Sequence, residues 1–336
     1  MSIKDKVIVI TGAASGMGLE TARLFASKGA KLSLADVQEK PLKELEASLR
    51  ESGAEVMTQV VDVSKRADVE SWIAATVEKF GKLDGAANLA GVFGRQTTVV
   101  EIQDVDDEDW DFVMGVNVAG LRNCLRAQVP HMNEGSSIVN AASILGLIGG
   151  ARQLAYSASK HAIVGMTRSA AKELGPKKIR VNCFCPGPVE TPMLKKAYDI
   201  IGSAVDYSWL PLGRSADQKE VPPLVEFLIS DASSFMTGNA VPIDGGCQIT
   251  VFAKRSPKLS EDELNDHWTN KHGPLITSWL QRHGIVKYVQ FFKATNVQID
   301  YSADTIQYHT TSVHKALVIV PTLTYDGIAD FLGEEV

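Results

Sequence analysis

Several things are scarce in this 336-residue chain, and each scarcity removes a class of function. Cysteine occurs four times, as Cys124, Cys183, Cys185 and Cys247, with no CxxC pair and no zinc-site spacing. That pattern excludes a disulfide scaffold and a cysteine-held structural zinc site, so the thiols are expected to be reduced. Cys183 and Cys185 flank Phe184 at strand-like alternation, which predicts ordinary packing for the pair. No apolar run approaches the roughly 20 residues of a membrane-spanning helix. The run VIVI near the start is too short for the core of a signal peptide, and a soluble, cytoplasmic protein is expected. Concentrated Lys/Arg runs are missing and the net charge is −6, which leaves nucleic acid and anionic membranes without an electrostatic footprint. Small-molecule chemistry is the class that remains. No internal repeat or low-complexity tract appears. What is plentiful is apolar side chain, at 45% of the residues, enough for one large core with a smaller one beside it.

The first half alternates β-branched runs with amphipathic segments. VIVI at 7–10 precedes a helix to about Ser27, KLSLA at 31–35 precedes one near 39–51, and EVMTQVV at 55–61 precedes one near 66–80. AANLA at 86–90, SIVNAAS at 137–143 and IRVNCFC at 179–185 continue the series. Strands alternating with helices predict βαβ units and a mostly parallel sheet covered on both faces, a doubly wound α/β fold. The text turns irregular near 203–220, and a helix and AVPIDGG then close the unit at about Gly246.

The turn after the first strand reads TGAASGMG, with Gly12, Gly16 and Gly18 where strand gives way to helix. Glycine lets backbone approach a pyrophosphate, and a helix N-terminus offers it free N–H groups. Such a turn alone is weak, since a tight turn of any origin looks the same. Asp36 ends the second strand about 20 residues on, where a carboxylate accepts hydrogen bonds from an adenosine ribose and repels a 2′-phosphate. Val37 follows it and no base lies in the glycine turn, so NAD is expected over NADP; Asp36 as a cap of the next helix is the competing reading. Within YSASK, Tyr156 and Lys160 stand four apart on one helix face. An ammonium beside a phenol stabilises the phenolate and lowers its pKa, while Ser143 at the end of SIVNAAS can hydrogen-bond a substrate oxygen. Taken singly, Tyr-x-x-x-Lys is common on solvated helices; the combination is what carries specificity.

In this combination the chain resembles the short-chain dehydrogenases/reductases, with TGAASGMG, Asp62-Val63, NLAG at 88–91, Asn117, Ser143, Tyr156, Lys160, CPGPVETPM at 185–193, PLGR at 211–214 and the DGG ending. The resemblance implies a Rossmann fold over residues 1–247 and a catalytic set of Asn117, Ser143, Tyr156 and Lys160. It implies that Gly12, Ser15, Gly16, Met17, Gly18, Asp36, Asp62, Val63, Asn88 and Ala90 bind the cofactor, NAD. Pro186, Gly187, Val189 and Thr191 join that set, as do Tyr156 and Lys160 through the nicotinamide ribose. Asn117 would hold a relay water. Leu89 departs from the family's usual second Asn, removing a polar group that helps stabilise the central sheet.

The reaction implied is hydride transfer between a secondary alcohol and a ketone, with Tyr156 as acid/base. Gly94–Thr98, Ile144–Leu154 and Met193–Leu212, rich in Leu, Ile, Val, Tyr207 and Trp209, would line a pocket for a hydrophobic, cyclic or aromatic natural-product-like substrate. Two other readings stay open, a non-redox cyclase or isomerase that retains its cofactor and a scaffolding protein. The acidic run DVDDEDWD at 104–111 is expected to complement the dipole at the start of a long helix rather than bind a cation, and His161 to lie on the surface or pack at an interface rather than take part in catalysis. No metal is expected.

Residues 248–336 are an addition. ITVFA at 249–253, VKYVQFF at 286–292 and KALVIV at 315–320 read as strands, and Ser260 with Glu263 forms a capping box. KRSPKLSEDELNDHWTNKHGPL resembles the signature of EthD-like domains, which implies a small ferredoxin-like α+β module, a dimeric barrel and a homo-oligomer, dimer or tetramer. TYDGIADF at 324–331 resembles the family's next helix start, but the remaining text is short for a complete copy. His267 and His272, five apart, do not share a helix face as a metal pair would; His272 lines a ligand cavity or closes the helix end, and Trp268 and Trp279 are core anchors.

Overall fold

The computed structural model describes residues 3–201, 205–208 and 210–247, and the backbone of five strand segments between residues 249 and 320. Contacts divide the chain into two compact units, Met1–Gly245 and Gly246–Val336. In the first, Val7–Thr11 (β1), Lys31–Asp36 (β2), Val56–Val60 (β3), Leu83–Asn88 (β4), Met132–Ala141 (β5) and Arg180–Pro186 (β6) are the main strands. Val189–Glu190 (β7) and Ala216–Asp217 (β8) form a separate short pair, and Ala240–Ile243 (β9) is the last strand of the main sheet. The order β3-β2-β1-β4-β5-β6-β9 is parallel throughout, so the strand order reverses between β1 and β4. A crevice opens beyond the strand ends at such a point.

Alternation along the strands fills both faces, because successive side chains point to opposite sides. Ile8 and Ile10 pack with Leu32, Leu34 and Phe25 on one side, and Val7 and Val9 with Val69, Trp72 and Ile73 on the other. The helices Gly16–Ser27 (α1), Glu39–Glu51 (α2) and Arg66–Phe80 (α3) cover the first strands. Leu42, Leu45 and Leu49 place the apolar stripe of α2 at helical spacing, and α3 stops at Gly81, whose φ of 82° lets its N–H return to the Val77 carbonyl at 2.7 Å.

Two boundaries differ from the sequence reading. The fourth strand ends at Asn88 rather than 90, because the N–H groups of Leu89 and Ala90 turn to the Thr11 hydroxyl, at 3.1 and 3.2 Å, instead of continuing the ladder. The expected long helix after the acidic run is broken: Asp107–Met114 (α4) and Gly120–Gln128 (α5) are joined by a π-turn over Gly115–Ala119. The extra residue of a π-turn re-aims side chains, and such turns recur at functional sites. Further along are Leu154–Leu174 (α6), Pro192–Ile201 (α7) and Pro222–Ile229 (α8).

In the second unit Ile249–Val251 (β10), Lys287–Thr295 (β11) and Ser312–Val320 (β14) form an antiparallel sheet ordered β10-β14-β11, and Gln298–Asp300 (β12) pairs with Gln307–His309 (β13). The three strands expected there are present. Trp209, the capping box at Ser260, His267, Trp268, His272, Trp279 and TYDGIADF lie outside the described residues.

Candidate active site

The β1 turn is shaped by close backbone approach. A Cβ on Gly12, whose φ is +69°, would stand 2.9 Å from the Ala90 backbone, and one on Gly18 would stand 2.0 Å from the Gly12 carbonyl oxygen. Only glycine lets the first turn of α1 lie this close to the strand end. Ser15 is the residue before α1, and Gly16 and Met17 open the helix. Thr191 closes the other side, its Cγ2 3.2 Å from where a Cβ on Gly16 would fall. This cradle, with a helix N-terminus at its floor, fits a dinucleotide pyrophosphate.

Asp36 is 7% exposed and ties the turn to β2: Oδ2 accepts the Ala14 N–H at 2.9 Å and Oδ1 the Gln38 N–H at 2.9 Å. Gln38, not Asp36, is the cap residue of α2, so the capping reading is replaced by a brace across the glycine turn. Each oxygen keeps a free lone pair for a ribose hydroxyl. At Asp62, burial works to raise the pKa, but hydrogen bonds from the Ser64 hydroxyl and N–H and from Lys65 outweigh it and hold the carboxyl below its ordinary range. The Val63 carbonyl accepts from Asn123 at 3.0 Å, and Val63 packs on Gly120, where a Cβ would stand 2.7 Å from Val63 Cγ2. Val189 is buried, and Gly187 sits against the Asp244 backbone, 2.9 Å from where its Cβ would fall.

Beside this cradle Ser143, Tyr156, Lys160 and Asn117 converge from β5, α6 and the π-turn. Ser143 is hydrogen-bonded to Tyr156 and its Oγ also accepts the Leu145 N–H at 3.1 Å. Lys160 donates from Nζ to the Ala141 carbonyl at 2.9 Å, with Nζ 5.5 Å from the Tyr156 ring centroid. The Asn117 amide is fully engaged: Oδ1 accepts the Val92 N–H at 2.8 Å, and Nδ2 donates to the Val92 carbonyl and to Ser159 Oγ, both at 3.0 Å. Ser159 Oγ in turn donates to the Tyr156 carbonyl at 2.7 Å. Gly91 leaves room between these groups, since a Cβ there would lie 3.3 Å from Asn117 Oδ1 and 3.4 Å from Lys160 Nζ.

The expected lowering of the phenol is not what this structure has. Burial pushes Tyr156 up to about 12, against the opposing hydrogen bond from Ser143, and burial pushes Lys160 down to about 8, against the neighbouring Cys185 and Cys183 thiols. Both groups are nearly sealed from water, at 9% and 4% exposed, so desolvation outweighs the charge of the neighbour.

Pro186 ends β6, and Asn88 and Ala90 lie on the switch-point side of the cradle. Asn88 exchanges hydrogen bonds with Gln128 at 2.8 and 3.2 Å and donates to Asn140 at 3.0 Å, and Asn140 donates to Thr167 at 3.0 Å. This network, which single motifs did not signal, ties β4 to β5, α5 and α6. Leu89 takes no part and packs in the apolar core. Three further residues escaped the sequence reading. Phe93 sets its ring edge-on to Tyr156 at 4.8 Å, Ser159 links Asn117 to Tyr156, and Asp109 is buried within the acidic run. His161 lies exposed, its Nδ1 against the Ser157 carbonyl, and Cys183 and Cys185 are buried as expected. Among the described residues no helix is long and apolar enough to cross a membrane.

The chain is similar to known proteins over this part of its length. The family profile described as Enoyl-(Acyl carrier protein) reductase matches residues 12–248, and the EthD domain profile matches residues 256–333. The short-chain dehydrogenase/reductase aba4 of Botryotinia fuckeliana (strain B05.10) is 52% identical over 248 residues, covering 72% of this chain and 96% of the relative. The trans-4-hydroxycyclohexanecarboxylate dehydrogenase of Sinomonas cyclohexanicum is 39% identical over 254 residues, covering 73% and 93%. Among solved structures, NAD+-bound xylitol dehydrogenase superposes with a TM-score of 0.68 at 33% identity, covering 73% of this chain and all, 100%, of that one. The chain is an oxidoreductase of the short-chain dehydrogenase/reductase family.

Proposed function

We propose that the protein is an NAD-dependent oxidoreductase that interconverts a secondary alcohol and a ketone on a hydrophobic, cyclic, natural-product-like substrate. The observation that carries this is the convergence of Ser143, Tyr156, Lys160 and Asn117 beside a glycine cradle braced by Asp36. Gly12, Ser15, Gly16, Met17 and Gly18 would hold the pyrophosphate, Asp36 the adenosine ribose, and Asp62 with Val63 the adenine. Asn88, Ala90, Pro186, Gly187, Val189 and Thr191 would border the nicotinamide, whose bound form supplies the hydride acceptor or donor. A carboxylate at the ribose repels a 2′-phosphate, which favours NAD, the cofactor also bound in the xylitol dehydrogenase relative. A ring-bearing substrate agrees with the name of the cyclohexanecarboxylate dehydrogenase.

Ser143 Oγ and Tyr156 Oη together grip the reacting oxygen. In reduction Tyr156 gives its proton to the developing alkoxide. A phenol pushed up to about 12 is fully protonated at neutral pH, the form this direction needs. In oxidation Tyr156 first releases its proton to solvent, and the resulting phenolate, stabilised by the ammonium of Lys160, takes the hydroxyl proton. Asn117, fixed by Val92 and Ser159, holds α6 and the β4 loop at the spacing this needs. Positioned acid/base catalysis of this kind is worth roughly 10²- to 10⁴-fold.

The dehydrogenase would occupy residues 1–247 and an EthD-like α+β module residues 248–336, a division supported by the two family profiles and by the antiparallel β10-β14-β11 sheet. That module would join copies of the chain into a homo-oligomer. The reaction belongs in the cytoplasm, where a nicotinamide pool is at hand and four buried thiols stay reduced. The test is a screen of cyclic secondary alcohols and ketones followed by absorbance of reduced nicotinamide, with NAD and with NADP, on wild type and Tyr156→Phe. Turnover in the wild type that falls at least about 100-fold in Tyr156→Phe is expected. Equal rates in the two proteins would refute the tyrosine mechanism.

A further inference from the structure

Of the six carboxylates in the acidic run between residues 104 and 111, five serve surface or capping positions and one does not. Asp106 accepts the Glu108 N–H at 2.7 Å and caps α4, and Asp107, Glu108 and Asp111 are exposed, whereas Asp109 is 3% exposed. A carboxylate is not buried without partners. The partners of Asp109 are the backbone of a different segment: Oδ1 accepts the Arg95 N–H at 2.8 Å, Oδ2 accepts the Gln96 N–H at 3.0 Å, and Arg95 Nε lies 3.5 Å from Oδ1. The turn is fitted to this carboxylate. Gly94 has φ +79°, and a Cβ on it would fall 2.9 Å from Asp109 Oδ2. Gln96 answers from the other side, its Oε1 accepting the Asp106 N–H at 2.8 Å, so the turn and the first turn of α4 bind each other reciprocally.

The residues just before that turn touch the reaction centre: Phe93 meets the Tyr156 ring at 4.8 Å, and both backbone groups of Val92 clamp the Asn117 amide. We propose that Asp109 is a positioning residue for the reaction, its buried carboxylate anchoring the Arg95–Gln96 turn and through it holding Phe93 against Tyr156 and Val92 against Asn117. The inference rests on the reading of Tyr156 as the acid/base. A carboxylate is required because both donors are N–H groups; a carboxamide accepts through one oxygen and turns its own N–H₂ toward the second donor. Loss of that bond frees the turn, and displacement of a catalytic group by about 1 Å costs up to roughly 100-fold in rate.

The test is a double-mutant cycle in kcat with the full chain, using Asp109→Asn, Phe93→Leu and the pair, on a substrate the wild type turns over. Each single change is expected to lower kcat on the order of ten- to a hundredfold with the KM for NAD within about twofold, and the pair to fall no more than about threefold below the worse single. Multiplicative losses in the pair, or wild-type kcat in Asp109→Asn with only a lowered melting temperature, would overturn the proposal. Should Asp109→Asn fail to fold, Phe93→Leu decides alone: wild-type kcat overturns it and a loss of about tenfold or more upholds it. Undiminished turnover by Tyr156→Phe would instead remove the acid/base reading itself, whatever the cycle gives.

Discussion

Lys160 should cost the protein stability that it repays in catalysis, and the cost can be read from pH. In the cofactor-free protein burial lowers its pKa to about 8 from an ordinary 10.5. Between those two values the unfolded chain holds a proton on this lysine that the folded chain has released, so the unfolded state binds more protons and stability rises with pH. At neutral pH the charged lysine is carried at a cost of about 3 kcal/mol, 2.5 pKa units at 1.36 kcal/mol each. Lys160→Met keeps the stem and removes the charge. Its stability should therefore lack this pH dependence, and relative to it the wild type should gain about 2 kcal/mol between roughly pH 7.5 and 9.5. That window lies below the titration of Tyr156, which burial moves up to about 12 and which acts in the opposite sense above pH 10. The assay is urea unfolding of both proteins at several pH values across the window, without cofactor. At the lower end the substitution should be stabilising by about 1 to 3 kcal/mol, the charging cost less the lost bond to the Ala141 carbonyl. A difference in stability between the two proteins that stays flat with pH would refute the claim that this ammonium is held against desolvation.

Other outcomes follow from the same structure. Gly18→Ala puts a Cβ where 2.0 Å separates it from the Gly12 carbonyl oxygen, backbone that cannot step aside, and NADH affinity measured by the fluorescence of the reduced nicotinamide should drop at least about tenfold; an unchanged Kd would show that the cradle is not the pyrophosphate site. Asp36→Asn removes a charged acceptor worth about 1.5 to 3 kcal/mol and a repulsion toward a 2′-phosphate, so the ratio of kcat/KM for NAD over NADP should fall by roughly ten- to a hundredfold. A ratio that does not move would place the ribose elsewhere. Arg180→Met strips the guanidinium that donates to the Leu228, Ile229 and Ser230 carbonyls and to Ser233 at 2.7 to 3.2 Å; the cost should be about 3 kcal/mol, seen as a fall of roughly 10 °C in Tm, and a shift under about 2 °C would contradict it.

Elements whose identity depends on local pattern were readable from the sequence, and those that depend on pairing were not. The strand at Val7–Thr11, the helix over Glu39–Glu51 and the parallel order of the sheet follow from alternation and helical spacing. Tyr156, Lys160 and the three glycines stand out because their chemistry needs fixed short spacings. Asp109 carries no such mark: it sits in a run of like residues, and what distinguishes it is contact with a turn 13 and 14 residues earlier. The π-turn at Gly115–Ala119 was hidden for a similar reason, since VNVAG reads as continuous helix until Asn117 has to meet both Val92 and Ser159. The pKa of Tyr156 was misjudged in direction because proximity to an ammonium is visible in a sequence while burial of both partners is not.

Polarity at the centre of the sheet explains why Leu89 is tolerated where the family usually has a second asparagine. The strands need cross-links at their ends because the crevice there leaves backbone groups unpaired, and a missing donor would cost about 1 to 3 kcal/mol. Here the Thr11 hydroxyl takes the N–H groups of Leu89 and Ala90, while Asn88, Gln128, Asn140 and Thr167 carry the links from β4 to β5, α5 and α6. Leu89 is then free to join the apolar cluster that contains Ala13, Ala14 and Ala141, on the same side as the glycine turn. The substitution therefore exchanges one hydrogen-bonded support of the sheet for packing, and it does so at a site whose remaining polar groups are all paired.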